Sequence, residues 1–317
     1  MDRSSRPRRR PLIDRAELAA LAAPLLRRCR FPAPDVVVTC AVSGGADSSA
    51  LLALAVASGC RVTAVHVDHG LRPGSGAEAA IVEVTARALG AGFRAERVTV
   101  EPGPNLEARA REARRSVLPT DALLGHTADD QAETMLLNLM RGAGLDGMAG
   151  MRADGRRPLL GLRRAETVAL CLDLELELVD DPSNRDPAFR RNRVRHELLP
   201  LLDDIAGRDV VPVLARQAGL AREAIDQLAA EAGLVDPTDA VAVAAAPDAI
   251  ARLVVRDWLR GCSDERHPPD AATVERVLRV ARLEHRATEV GGGWRVARTA
   301  GRLRLERGNG HDPAPVG

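Results

Sequence analysis

The sequence predicts an α/β protein: a doubly wound parallel sheet with helices on both faces, followed by a second, smaller α+β domain. Three observations carry this. Short β-branched runs alternate with segments of helical apolar spacing from Asp35 to Met140. The first run ends in Ser43-Gly44-Gly45, a tight turn into a helix. Beyond Pro200 the alternation gives way to longer helices and a hairpin.

Asp35–Val42, bounded by Pro34 and by Ser43, reads as a buried parallel strand. Ser48–Ser58 carries Leu51, Leu52, Ala55 and Val56 at helical spacing and stops at Gly59. Arg61–Asp68 is a second strand, Ala77–Leu89 a helix and Arg94–Val100 a third strand. Asn105–Leu118 is an Arg-rich helix, Ala122–Gly125 a brief strand and Ala128–Met140 a helix. Val210–Ala232, Pro247–Arg260 and Pro269–Leu283 follow as helices. Trp294–Arg298 and Arg302–Glu306 form a hairpin about Thr299-Ala300-Gly301. The expected organisation is a basic tail and first helix (1–34), a nucleotide-binding catalytic domain (35–210), a small domain (211–307) and a disordered tail (308–317). The domain boundary is expected near 205–220.

Apolar residues make up 45% of the 317, charged residues 28%, and the formal net charge is +1. Such a chain is neither a basic coat nor an acidic tail, so nucleic-acid contact requires a local patch. There is no lysine: all 45 basic residues are arginine. A GC-rich genome accounts for that, and the chemical consequence stands regardless. No lysine side chain can form a Schiff base or grip a phosphate, and every fixed cation must be Arg. Cys29, Cys40, Cys60, Cys171 and Cys262 include no C-x-x-C pair, which argues against zinc, redox or disulfide frameworks. A cytoplasmic protein is expected, with no signal peptide and no membrane span.

Ser43-Gly44-Gly45-Ala46-Asp47-Ser48 lies between the valine strand and the apolar helix. Free amides at a helix N-terminus, glycines that let the backbone approach, and two hydroxyls suit nucleotide phosphates. Asp47 cannot donate to phosphate, and its expected task is to hold Mg²⁺ or a hydroxyl nearby. A Walker A loop is excluded because it needs lysine. Gly142–Gly147 matches G-x-G-x-x-G but follows a helix, so it reads as a tight connection and not a dinucleotide site.

At the end of the fourth strand, Thr127 can cap the next helix, with Asp129, Asp130 and Glu133 on neighbouring positions. Paired carboxylates there can hold Mg²⁺ or receive an ammonium group. Acidic residues also simply favour a helix N-terminus, which explains Asp129 well and the whole cluster less well. His66 ends the second strand and is assigned to nucleotide-side packing and hydrogen bonding. Arg111 and Arg114 share a helix face and could clamp phosphate or lie on a solvated face. Five arginines lie between Arg185 and Arg195. This run reads as an RNA-backbone patch with Phe189 as a stacking surface, or as a charged helix start.

Taken together, these segments resemble the tRNA(Ile)-lysidine synthetases of the PP-loop ATP pyrophosphatase group. SGGADS at 43–48 matches that family's ATP loop, and HVDHGLRPGS at 66–75 resembles its H-V-N/D-H-G-L-R segment. Asn105, Glu107, Ala110, Arg111 and Arg114 match N-x-E-A-x-A-R-x-x-R. HTADDQAETMLLNLMRGAGLDGMAGM at 126–151, RPLL at 157–160 and DPSNRDPAFRRNRVRHELLP at 181–200 complete the set. The resemblance implies a Rossmann-like PP-loop ATPase domain and a small tRNA-interacting domain. ATP adenylates the C2 oxygen of the wobble cytidine in a CAU-anticodon isoleucine tRNA. The amine of free L-lysine then displaces AMP, giving lysidine and changing codon reading from AUG to AUA.

It implies ATP contacts from Ser43, Gly44, Gly45, Ala46, Asp47, Ser48 and His66, with Mg²⁺ at Asp47. Asp130 and Glu133 would receive lysine's charges, and Arg111 would neutralise phosphate. Arg190, Arg191, Asn192, Arg193 and Arg195 would contact tRNA. Dimers occur among such folds, although no surface in the sequence argues for a homodimer. Thr127 stands where the family often has a second His, Arg115 replaces a usual Tyr, and the C-terminal part is short. Competing readings are another PP-loop tRNA-modifying or amidotransferring enzyme and a catalytically silent RNA-binding relative.

Overall fold

The computed structural model describes residues 12–68, 75–99, 109, 113, 116–262 and 269–307. Both expected tails, 1–11 and 308–317, lie outside them. The chain divides into two compact units at Leu220/Ala221.

The first unit is built on a parallel sheet. Helix α1 (Arg15–Leu26) is capped by Asp14 and buries Leu18, Ala22 and Leu25. Strand β1 (Val37–Ala41), helix α2 (Ala46–Ala57), strand β2 (Arg61–Asp68), helix α3 (Ser75–Ala88) and strand β3 (Gly92–Arg97) then alternate. The strands are parallel in the order β1-β2-β3, with Cys40 opposite Ala64 and Ala64 opposite Phe93. Helix α2 packs on both β1 and β2 and on α1, so it is enclosed and apolar on nearly every side. Its Leu51, Leu52 and Leu54 are fully buried, each worth about 2 kcal/mol of hydrophobic stabilisation.

The chain then crosses to the free side of β1. The expected strand 122–125 is reduced to one parallel bridge, Leu123 beside Cys40. Leu123 N–H donates to Thr39 O at 2.8 Å, and Ala41 N–H donates to Leu123 O at 3.0 Å. One residue later Leu124 N–H turns away to Arg156 O at 2.8 Å, which ends the pairing. The spatial order is therefore β3, β2, β1, then Leu123. Strand order reverses beside β1, and in open α/β sheets ligands bind at such a reversal, beyond the strands' carboxyl ends.

Four helices come next: α4 (Ala128–Met140), α5 (Leu145–Met148), α6 (Arg164–Asp173) and, after a 3₁₀ turn at Pro182–Arg185, α7 (Arg190–Arg193). A π turn (Val194–Leu198) leads into α8 (Leu199–Ala206), and α9 (Val211–Ala232) carries the unit boundary. Of the Gly142–Gly147 segment, Gly142–Gly144 connect α4 to α5, and Leu145–Gly147 belong to α5, so the segment follows a helix and not a strand. Gln131 of α4 clamps the chain just beyond α5, donating to Ala149 O and Met151 O and accepting from Met151 N–H at 2.7 Å.

The second unit contains α10 (Ala240–Ala245), α11 (Asp248–Cys262) and α12 (Ala271–Ala281) packed on an antiparallel sheet. Its strands are β4 (Ala287–Gly291), β5 (Trp294–Thr299) and β6 (Arg302–Arg307). The expected hairpin is β5–β6. Strand β4 escapes a sequence reading because Ala-Thr-Glu-Val is short and runs into three glycines, so only pairing with β5 marks it. Val255, Val277, Leu278, Val296 and Leu303 form the core of this unit.

Candidate active site

Two segments leave the sheet on either side of the strand reversal. The first is the Ser43–Ser48 loop. Gly44 has φ +91°, and a Cβ there would lie 2.4 Å from Val179 Cγ2, so conformation and space both demand glycine. Gly44 O in turn accepts from Val179 N–H at 3.0 Å. Ser48 Oγ accepts from Ser43 N–H at 3.1 Å and donates to Gly45 O at 2.9 Å, closing the loop on itself. Gly45 is the N-cap of α2 and has no side chain to cap it. Among the described residues, the amides of Ala46, Asp47 and Ser48 therefore keep no intrahelical or side-chain acceptor, which is the condition for anion binding.

The second segment is Leu123–Asp130. A Cβ on Gly125 would lie 2.7 Å from Asp47 O and 3.1 Å from Ser48 Cα. The backbones of the two segments are thus in direct contact. Thr127 is buried at the start of α4, and both its N–H (2.9 Å) and its hydroxyl (3.2 Å) donate to Asp130 Oδ2. Thr127 and Asp130 thus form a capping box at the start of α4.

Between the segments lies a dense ionic cluster. Glu133 is fully buried. It accepts from Arg164 Nη1 at 3.0 Å, Arg191 Nε at 2.6 Å, and Arg195 Nε and Nη2 at 2.7 and 3.2 Å. Asp130 Oδ1 accepts from Arg164 Nη2 at 3.0 Å and Arg191 Nη2 at 2.9 Å. Arg164 Nε also reaches Asp47 Oδ2 at 3.0 Å, and Thr167 Oγ1 donates to the other oxygen of Asp47. Asp129 is clasped by Arg163 Nε and Nη2, both at 3.1 Å, and by the backbone N–H of Arg164 at 2.8 Å. Arg163 continues the chain of charges to Asp209.

Burial pushes the Asp47 carboxyl up, against the Arg164 charge and the Thr167 hydrogen bond. For Asp130 burial acts in the same direction, but Arg164, Arg191 and the Thr127 amide outweigh it and hold the carboxyl down. For Asp129 burial is outweighed by Arg163 and the Arg164 amide. Arg164 is held above its already high value because its carboxylate partners overcome its own burial.

These directions set a pH dependence. The depressed Asp129 and Asp130 contribute stability that is complete above the unfolded carboxylate value, about 4. That stability is lost as pH falls through their folded values. Asp47 acts oppositely: its folded value is raised, so ionising it costs stability as pH rises from the unfolded towards the folded value. The urea midpoint is expected to fall as pH drops below about 4, with a shallower acid limb in Asp129→Asn. Parallel acid limbs in the two proteins would remove Asp129 as a source of this dependence.

The remaining sequence-predicted residues fall in several places. His66 is buried at the end of β2, with Nδ1–H donating to Val42 O at 2.9 Å beside the phosphate loop. Its Nε2 has no partner among the described residues. Arg111 and Arg114, with most of the 66–75 and 105–118 motifs, lie outside the described residues. The basic run is not one solvated face. Arg191 and Arg195 turn inward onto Glu133. Asn192 pins the preceding turn through Ser183 O and Asp186 O, at 2.8 and 2.9 Å. Arg190 and Arg193 are exposed, Arg193 in a surface pair with Glu197.

Arg163, Arg164 and Thr167 are the residues sequence reasoning missed. The signal was a pair of arginines just after the recognised RPLL segment, at the start of a helix.

An open parallel sheet with this loop at its strand reversal defines a PP-loop nucleotide-binding domain, and residues 17–202 match the PP-loop domain family. The tRNA(Ile)-lysidine synthase of Nocardia farcinica is 46% identical over 245 residues, covering 72% of this chain and 77% of that one. That of Rhodococcus erythropolis is 48% identical over 238 residues, covering 70% and 73%. The chain belongs to the tRNA(Ile)-lysidine synthase family. Among solved structures, the U34-tRNA thiolase NcsA of Methanococcus maripaludis shares the fold at 17% identity and a TM-score of 0.50, covering 65% of this chain and 79% of that one. No helix among the described residues is long and apolar enough to cross a membrane.

Proposed function

We propose that this chain joins free L-lysine to C2 of the wobble cytidine in a CAU-anticodon isoleucine tRNA, at the expense of ATP. The observation that carries the assignment is the backbone contact between the Ser43–Ser48 loop and the segment bearing Asp130 and Glu133. It puts an anion grip and a carboxylate pair side by side, as a reaction using a triphosphate and a diamine requires.

In the first step the cytidine C2 oxygen attacks the α-phosphorus and pyrophosphate leaves. In the second the amine attacks C2, the C2–O bond breaks and AMP departs. Ser43, Gly44, Gly45, Ala46 and Ser48 hold phosphate through amides and hydroxyls, and His66 backs the loop from β2. Mg²⁺ is ordinarily held by one or two carboxylates together with substrate phosphates. The hard oxygens of Asp47 at the loop fit that donor set. The ion would spread the phosphate charge there. Asp130 and Glu133 receive the lysine ammonium, and Arg111 meets phosphate. The exposed Arg190 and Arg193 face tRNA, while Arg191, Asn192 and Arg195 shape the platform beneath them.

Incubation with ATP, radiolabelled lysine and tRNA tests the assignment. Label is expected in CAU-anticodon isoleucine tRNA and not in initiator tRNA. AMP formation on another substrate, with no lysine transfer, would overturn it.

A further inference from the structure

The carboxylates assigned to lysine are already occupied by the protein's own cations. A carboxylate offers about four acceptor sites. Glu133 accepts four bonds, from Arg164, Arg191 and Arg195. Asp130 also accepts four, two from Thr127 and one each from Arg164 and Arg191. An ammonium group cannot simply be added to this pocket. At Glu133 it has to replace a guanidinium.

The three arginines are not equivalent candidates. Within the cluster, Arg191 and Arg195 touch only Asp130 and Glu133. Arg164 alone also touches Asp47, at 3.0 Å. Asp47 lies in the first turn of α2, the turn that the phosphate loop opens. One guanidinium thus spans the phosphate grip and the amine pocket. A triphosphate on the loop brings several anionic oxygens next to Asp47. They compete with the carboxylates for the guanidinium, whose planar fork pairs well with phosphate. Arg164 spends one N–H each on Asp47, Glu133 and Asp130, so swinging the fork onto phosphate draws Nη1 and Nη2 away from Glu133 Oε1 and Asp130 Oδ1.

We infer that Arg164 is a gate. It fills the amine subsite in the nucleotide-free enzyme and turns to the phosphates when ATP binds, so lysine binds after ATP. The inference rests on the lysine-ligating function proposed above and adds an order of binding to it. The charge logic is consistent with this. Asp47, Asp130 and Glu133 are balanced by Arg164, Arg191 and Arg195. After exchange, the ammonium restores the balance that Arg164 leaves. By linkage, lysine must tighten nucleotide binding by the same factor that nucleotide tightens lysine binding.

Equilibrium dialysis of radiolabelled lysine against the full chain, with and without an ATP analogue blocked at the α–β bridge, tests the gate. Lysine is expected to bind at least about tenfold more tightly with the analogue, within the usual range of coupling between sites. The analogue should bind more tightly by the same factor in the presence of lysine. Arg164→Gln is expected to bind lysine without the analogue about as tightly as wild type does with it. A merely structural role for Arg164 would weaken lysine binding and leave its nucleotide dependence in place.

Equal wild-type affinities with and without the analogue would overturn the gate, whatever the variant does. So would an Arg164→Gln protein that still requires the analogue. Lysine transfer to tRNA is measured on the same wild-type preparation. If transfer occurs and lysine binding ignores nucleotide, the gate alone fails. If no transfer occurs with any tRNA, the proposed function fails first.

Discussion

Glu133→Gln is expected to destabilise the first unit by about 3 kcal/mol, at the lower end of the range for breaking a buried ion pair. Glu133 has no exposed surface and is the acceptor on which Arg164, Arg191 and Arg195 all converge. Glutamine keeps the volume and removes the charge. Three partly buried guanidinium groups then face only the carboxylates of Asp130 and Asp47. The cost stays at the low end because Arg191 and Arg195 retain 22% and 24% exposure and can recruit water. Urea unfolding checks this, with Glu197→Gln as the comparison. Glu197 pairs with Arg193 on the surface, where a single ion pair contributes little, so its midpoint should not move. A Glu133→Gln midpoint equal to wild type would mean that the cluster is not held together by this carboxylate.

Gly125→Ala is expected to slow adenylation by about 100-fold, the scale of effect when reacting groups are misplaced by roughly 1 Å. The added methyl would meet Asp47 O at 2.7 Å and Asp47 C at 2.9 Å, and both are backbone atoms. No side-chain rotation relieves that overlap, so the phosphate loop and the start of α4 must separate. Overpacking of this kind costs a further 1–3 kcal/mol or so of stability. tRNA-dependent pyrophosphate release measures the first effect and urea unfolding the second. Gly155→Ala is the control, since an added Cβ there has nothing within 4 Å. Wild-type turnover in Gly125→Ala would show that the two segments need not touch for chemistry.

The two variants mark different limits of sequence reading. The phosphate loop is legible because its determinants are local. A β-branched strand, two glycines and an apolar helix follow one another, and that succession marks the turn before its distant contact with Val179 is known. Asp130 and Glu133 are legible as one helix face for the same reason. Gly125 is not, because a glycine before a histidine carries no sign of the backbone that will press against it. The run from Arg185 to Arg195 reads in sequence as a single surface. A string of like charges does not reveal which members turn inward, and α7 and the π turn after it send Arg191 and Arg195 to Glu133 while leaving Arg190 and Arg193 outside.

Residue order is therefore sufficient for the alternation of strands and helices, the glycine turn at Ser43–Ser48 proposed to grip phosphate and the lysine-free chemistry of the chain. These depend on hydrophobic periodicity and on backbone freedom a few residues wide. The choice of partners requires the folded chain. Arg164 meets Asp47 across 117 residues and Arg191 meets Glu133 across 58. Ion pairs have no sequence period, and their partners are chosen by where strands and helices come to rest. The reversal of strand order beside β1 brings the two loops together, and packing of α6 and α7 over them delivers the arginines.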